Sequence, residues 1–181
     1  MKTFAYRDGF TLIELVVVLA VIIVLAGLVL GTSSYVQKKG QRSRAEAEIA
    51  AMSAALESYK ADNGIYPQSN ALSPVTQIDA VNANKTDYEA ASQVLYVALS
   101  GDSDRNRTID AGEGKAYFAF KPNVLAPSGG QGTVTAILDP FRNSYGYSTM
   151  QASASTGGYN PTFDLWSTTN SSDPAQWVKN W

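Results

Sequence analysis

Two hydrophobic patterns follow one another along the first third of the chain. From Leu15 to Leu30 there is no charged or strongly polar side chain and no proline. Counted from Phe10, the apolar run is about 21 residues, or roughly 30 Å as a helix, enough for the hydrocarbon core of a bilayer. One carboxylate, Glu14, interrupts its start. An acid at the centre of such a helix costs roughly 2.5–3.5 kcal/mol on insertion scales and less near an end, so Glu14 calls for a partner. After Gly31-Thr32-Ser33-Ser34 the pattern becomes amphipathic. Ile49, Met52, Leu56 and Tyr59 recur at i, i+3, i+7 and i+10, with Glu46, Glu48, Glu57 and Lys60 off that stripe. No proline occurs between residues 10 and 63, so the economical prediction is one helix of about 54 residues, roughly 80 Å. Gly31 is its expected weak point. Asp62-Asn63-Gly64, followed by Pro67, ends it.

Beyond Pro67 the periods shorten. Residues 68–84, rich in Ser, Asn, Pro and Thr, predict a surface loop. A short helix is expected over Thr86–Leu99, with Thr86 as N-cap, Glu89 completing a capping box, and Tyr88, Ala91, Leu95 and Ala98 or Leu99 facing inward. Strands are expected at Ala116–Phe120, at Thr133–Leu138 and, as the last, at Thr162–Ser167, with a Gly/Ser loop between Gln151 and Gly158. The aromatics Tyr145, Tyr147, Trp166, Trp177 and Trp181 are expected to pack this sheet against the helix rather than to bind bases or sugars. The fold class is therefore α+β, a long N-terminal helix with a small antiparallel sheet on its second half.

Composition narrows the chemistry. The formal charge of −2 is too near neutral, and of the wrong sign, for a nucleic-acid surface. No cysteine and no histidine are present, which excludes disulfides, thiol nucleophiles and His-based general bases or zinc sites. A membrane-anchored periplasmic enzyme or sugar-binding module thereby loses ground to a structural role. The basic cluster Lys38–Arg44 reads as a solvated helix face ahead of a lipid-headgroup site. One polar segment does carry a recognisable spacing. Counted from Asp102, oxygen side chains stand at positions 1 (Asp102), 3 (Asp104), 5 (Asn106), 9 (Asp110) and 12 (Glu113), with Thr108 at 7 and Ile109 at 8. That is the spacing of a twelve-residue calcium loop, in which Thr108 supplies a backbone carbonyl and Glu113 both oxygens. Arg107 occupies position 6, where the sharp turn ordinarily takes glycine. The competing reading is an acidic turn neutralised by its own Arg105 and Arg107.

At the N-terminus a basic leader with Lys2 and Arg7 precedes the small residue Gly9, and the apolar run follows it. A secretory signal has the reverse order, with small residues after an apolar core of about 7–15 residues. The stretch Gly9-Phe10-Thr11-Leu12-Ile13-Glu14-Leu15 resembles the cleavage and methylation signal of the type IV pilin superfamily, although Asp8 stands where a basic residue is usual. Ala55-Leu56 through Tyr59, Asp62-Asn63-Gly64 and Tyr66-Pro67 resemble a phrase of the major pseudopilins of type II secretion, so the likeness is nearly continuous over residues 9–67. It weakens over 68–135 and returns in Asp139-Pro140-Phe141-Arg142-Asn143-Ser144-Tyr145-Gly146-Tyr147 and in Phe163-Asp164 with Ser167.

The resemblance implies a pilin-like fold without enzymatic activity. It implies a leader of residues 1–9, a membrane-spanning and filament-core segment 10–34 and a periplasmic domain 35–181. A prepilin peptidase would cut between Gly9 and Phe10, Phe10 would be N-methylated, and Glu14 would pair with a neighbouring subunit's N-terminal amine. The implied partners are further copies in a helical filament, minor pseudopilins, an inner-membrane assembly platform and inner-membrane lipid, with no nucleic acid. The family's C-terminal calcium loop maps onto Asp164, Ser167 and, with a two-residue insertion, Asp173. A surface type IV pilin serving adhesion, motility or DNA uptake shares the N-terminal features and stands as the alternative.

Overall fold

The computed structural model describes residues 9–69, 75–82, 84–154 and 157–181, without the side chains of 29–33, 85 and 154. Lys2, Arg7 and Asp8 of the leader lie outside the described residues. The chain divides into two units, Met1–Gly40 and Gln41–Trp181.

In the first unit, α1 (Leu12–Asn63) begins. Thr11 caps it: its Oγ accepts from the Glu14 amide at 3.3 Å, while Glu14 Oε2 accepts from the Thr11 amide at 2.8 Å and its hydroxyl at 2.7 Å. This reciprocal pair satisfies amide donors that a helix start leaves open. The large apolar side chains from Leu12 to Leu28 are each at least half exposed. Among the described residues no helix is long and apolar enough to cross a membrane.

In the second unit the remainder of α1 buries Ala45, Ile49, Met52, Ala55 and Leu56, the predicted stripe and its flanks, with Tyr59 packed at its edge. Gly64, at φ 81°, caps its end and donates to the Lys60 carbonyl at 2.8 Å, as its sequence foretold. α2 (Lys85–Ser100) starts one residue earlier than expected, because Asn84 rather than Thr86 is the N-cap. Asn84 Oδ1 accepts from the amides of Thr86 and Asp87, and Asp87 returns a bond to the Asn84 amide. Asn and Asp are stronger capping residues than Thr, which decides the register. α2 then buries Tyr88, Ala91, Leu95 and Leu99, together with Ser92 and Tyr96.

The sheet is shorter and more divided than the sequence pattern implied. β1 (Leu125–Ala126) pairs antiparallel with β2 (Ala136–Ile137), with Leu125 opposite Ile137. A three-stranded antiparallel sheet runs β3 (Gly146–Ser148), β4 (Asp164–Ser167), β5 (Val178–Lys179) in that order. Ala116–Phe120 is no strand: the amides of Tyr117 and Phe118 both donate to the Leu99 carbonyl, so the segment is spent folding back onto the end of α2. A helix, α3 (Met150–Ala154), occupies the start of the expected Gly/Ser loop. Thr162–Ser167 contributes β4, but β5 follows it and is the last strand. α2 packs on β2 and β3, and Tyr145, Tyr147 and Leu165 join the α1 stripe in one core. Trp166 and Trp177 bury themselves in a second cluster with Ala80 and Tyr88, and Trp181 lies against it. Tyr145 and Tyr147 thus pack the sheet against α1 as expected, whereas the tryptophans gather in this separate cluster, Trp181 only partly buried.

Candidate functional site

Three places bear the residues singled out by the sequence. At the start of α1, Gly9 and Phe10 are exposed, Phe10 at 88%. Glu14 is exposed beside them, its carboxylate turned onto Thr11. Thr11 was missed as a functional neighbour, although the Thr-x-x-Glu spacing of a capping box is plain in the sequence. What the geometry presents is an exposed carboxylate at the start of a helix whose large apolar side chains are each at least half exposed.

The second place is the loop after α2. Gly101, at φ 81°, lies against Gly114, and a Cβ there would collide with the Gly114 carbonyl. The Gly114 amide donates to the Gly101 carbonyl at 3.0 Å, so the two ends of the loop close on each other. Between them one oxygen each of Asp102, Asp104 and Glu113 lies within 4.8 Å of the others, a cluster able to hold a metal ion. Asn106 sits among the remaining donors. Its amide nitrogen donates to Asp104 Oδ2 at 2.9 Å and Asp110 Oδ2 at 3.2 Å, and its oxygen accepts from the Thr108 amide at 2.8 Å. Glu113 accepts from the amides of Asp110 and Ser103 and from the Ser103 hydroxyl, which holds its carboxyl down to about 2. All six candidate residues thus fall in one loop and are linked through their side-chain oxygens, Asp102 by accepting from the Asn106 amide at 3.0 Å.

Arg107 adopts φ 78° and Arg105 φ 63°, so the left-handed turn demanded at position 6 is made without glycine. Both guanidinium groups turn to other oxygens. Arg105 donates to Gln93 Oε1 at 2.5 Å, and Arg107 to the carbonyls of Gly132 at 2.9 Å and Pro127 at 2.7 Å. Asp102 is buried, and Tyr96 donates to its Oδ2 at 2.6 Å. Burial, and then the bond to Asp102, push the Tyr96 phenol up. Tyr96 was not among the expected site residues; its position six before Asp102 becomes meaningful only once α2 ends at Ser100.

The third place holds Asp164, Ser167 and Asp173, which the structure assigns to separate tasks. Asp164 accepts from the amides of Tyr159 at 2.9 Å and Asn160 at 2.8 Å. Ser167 donates to Asp139 Oδ2 at 2.5 Å. Asp173 caps a 3-10 turn, Pro174–Gln176, by accepting from the Ala175 amide at 2.9 Å.

Residues 5–30 match the family model described as the prokaryotic N-terminal methylation motif. The type II secretion system core protein G of Escherichia coli is 37% identical over 140 residues, covering 77% of this chain and 94% of that protein. The protein of the same name from Vibrio cholerae is 24% identical over 133 residues, covering 74% of this chain and 91% of its own length. That from Pectobacterium carotovorum is 41% identical over 63 residues, covering 34% and 40%. No solved structure matches the chain. With a methylation motif at its exposed N-terminal helix and near-full-length identity to the Escherichia coli protein, the chain belongs to the core protein G family of type II secretion systems, the major pseudopilins.

Proposed function

We propose that this chain is the structural subunit of a pseudopilus, the filament that drives type II protein secretion, and that it performs no catalysis. The observation that carries the reading is the N-terminal helix. Its large apolar side chains from Leu12 to Leu28 are each at least half exposed, directly after a Gly9-Phe10 junction. Such a surface needs lipid before assembly and neighbouring copies afterwards. A prepilin peptidase removes residues 1–9, Phe10 is N-methylated, and the segment 10–34 spans the inner membrane with the remainder in the periplasm. In the filament Glu14 exchanges its Thr11 contacts for the N-terminal amine of a neighbour, because a carboxylate in an apolar helix bundle requires a charge partner. Minor pseudopilins and an inner-membrane platform complete the assembly.

The loop from Asp102 to Glu113 binds calcium in this proposal. Asp102, Asp104, Asn106, the Thr108 carbonyl, Asp110 and Glu113 fit a hard cation in kind and spacing. The turning away of Arg105 and Arg107 toward carbonyl oxygens and Gln93 supports a cation over internal neutralisation.

The test uses the full-length chain in a bacterium with a type II secretion system. Intact mass should show loss of residues 1–9 and gain of one methyl group. Glu14→Ala should be cleaved and inserted normally yet be missing from sheared filaments. Filament yield equal to that of the unmodified chain would refute the role of Glu14, and failure of the unmodified chain to enter filaments would refute the reading as a whole.

A further inference from the structure

The family's C-terminal calcium loop and the residues that occupy it here do not fit one another. Asp164 and Ser167 both lie on β4, three residues apart. Residues at that spacing on a strand project to opposite faces with backbones roughly 10 Å apart. Each is also engaged with a different element: Asp164 with the turn before its own strand, and Ser167 with the hairpin turn carrying Asp139. Asp173 is taken up by the cap of the following 3-10 turn. Each of the three is thus engaged with a different partner.

We infer that the segment from Ser167 to Trp177 is closed without a metal ion, by a hydrogen-bonded clasp centred on Asp139. Asp139 is buried, 2% exposed. Its Oδ1 accepts from the amides of Phe141 and Asn143, both at 2.9 Å, and its Oδ2 from the Ser167 hydroxyl. One carboxylate thereby ties the hairpin turn to the end of β4, the task a cation performs when it gathers oxygens from two segments. Ser167 Oγ passes the tie on by accepting from the Thr169 amide at 3.2 Å. Asn143 reaches Asn170 at 3.1 Å, the Thr169 hydroxyl reaches the Gln176 carbonyl at 2.9 Å, and the Trp177 indole N–H reaches the Ser171 carbonyl at 2.8 Å. The left-handed turn that glycines would make in a metal loop is made by Thr169, φ 52°, and Asn170, φ 62°. A buried carboxylate whose acceptor positions are filled by three donors is satisfied, and breaking one of its bonds exposes the others.

The experiment is hydrogen exchange on the full chain in detergent micelles, in calcium and then in chelator. The amides of Thr169, Ala175 and Trp177 should exchange at rates equal within roughly twofold in the two conditions. Ser167→Ala should accelerate them by roughly five- to tenfold in both, the scale of one buried hydrogen bond. Acceleration on chelation in the unmodified chain, reproduced by Asp173→Asn, would overturn the clasp. So would Ser167→Ala leaving the rates unchanged. The amides of Glu113 and Gly114 report the other loop separately. Filament assembly is not read, so this result and the pseudopilus reading stand or fall independently.

Discussion

Gly146 shows at the scale of one residue how the second aromatic cluster restricts the sequence. It lies in β3 directly opposite Trp166. A Cβ built on it would fall inside the Trp166 indole. Trp166 has no space to yield, being fully buried against Tyr88, with ring centroids 5.5 Å apart, and against Trp181 at 5.9 Å. Gly146→Ala should therefore destabilise by about 1–3 kcal/mol, the range for overpacking a closed core. Thermal melting should fall by several degrees; an unchanged melt would show that the indole is free to move. Asn84 makes a related point about legibility. The sequence announced a helix start at Thr86, and only the backbone shows that the side chain of Asn84, two residues earlier, reaches the open amides.

At the scale of the element, the loop between Gly101 and Gly114 is the clearest case of spacing anticipating geometry. The oxygens of Asp102, Asp104 and Glu113 converge, and Arg107 makes the left-handed turn that position 6 demands although no glycine stands there. The destinations of Arg105 and Arg107 were not legible in the sequence, because they lie 12 to 25 residues away, beyond the reach of the local pattern. If this loop binds calcium, stabilisation follows RT ln(1 + [L]/Kd), about 2.7 kcal/mol at a hundredfold excess over Kd. The melting temperature of the chain should rise by several degrees in millimolar calcium, and much less in magnesium, whose strict octahedral demand suits the loop poorly. Asp104→Asn with Glu113→Gln should abolish that rise while leaving the buried Tyr96–Asp102 bond in place. A full rise in the double variant would locate the ion elsewhere.

At the scale of the molecule, three buried phenols couple stability to alkaline pH. Tyr145 bonds to Glu48 at 2.8 Å, Tyr147 to the Pro67 carbonyl at 2.9 Å and Tyr96 to Asp102, so each joins parts of the chain distant in sequence or turns into the loop. Burial is the first cause in all three and pushes their ionisation above the usual value, near 10. A group raised in the folded state contributes stability that is intact below its ordinary value. That stability is lost as pH climbs toward the folded one. Phenolate absorbance should thus appear in two stages, the first from solvent-exposed phenols near the ordinary value. Tyr96, Tyr145 and Tyr147 should ionise only as far-ultraviolet circular dichroism is lost. Ionisation of all tyrosines before any loss of structure would show that these phenols are reached by solvent without unfolding.

The sequence by itself determined the long helix, its apolar first half, its striped second half and its glycine stop. Each follows from residues within a few positions of one another, where period and capping act locally. It also placed Asp102, Asp104 and Glu113 within one twelve-residue span, where the structure brings an oxygen of each together. The tertiary structure decided the rest. The stretch Ala116–Phe120 has strand composition, yet its amides go to Leu99 at the end of α2 instead of to a neighbouring strand. The sequence places Ser167 at the end of a strand but does not name its partner; only the pairing of β4 between β3 and β5 sets Ser167 against Asp139 and sends Asp164 the other way. The physical reason is that a strand's partners, and a buried carboxylate's donors, come from wherever the chain returns, and short strands of two to four residues carry too little local pattern to announce it.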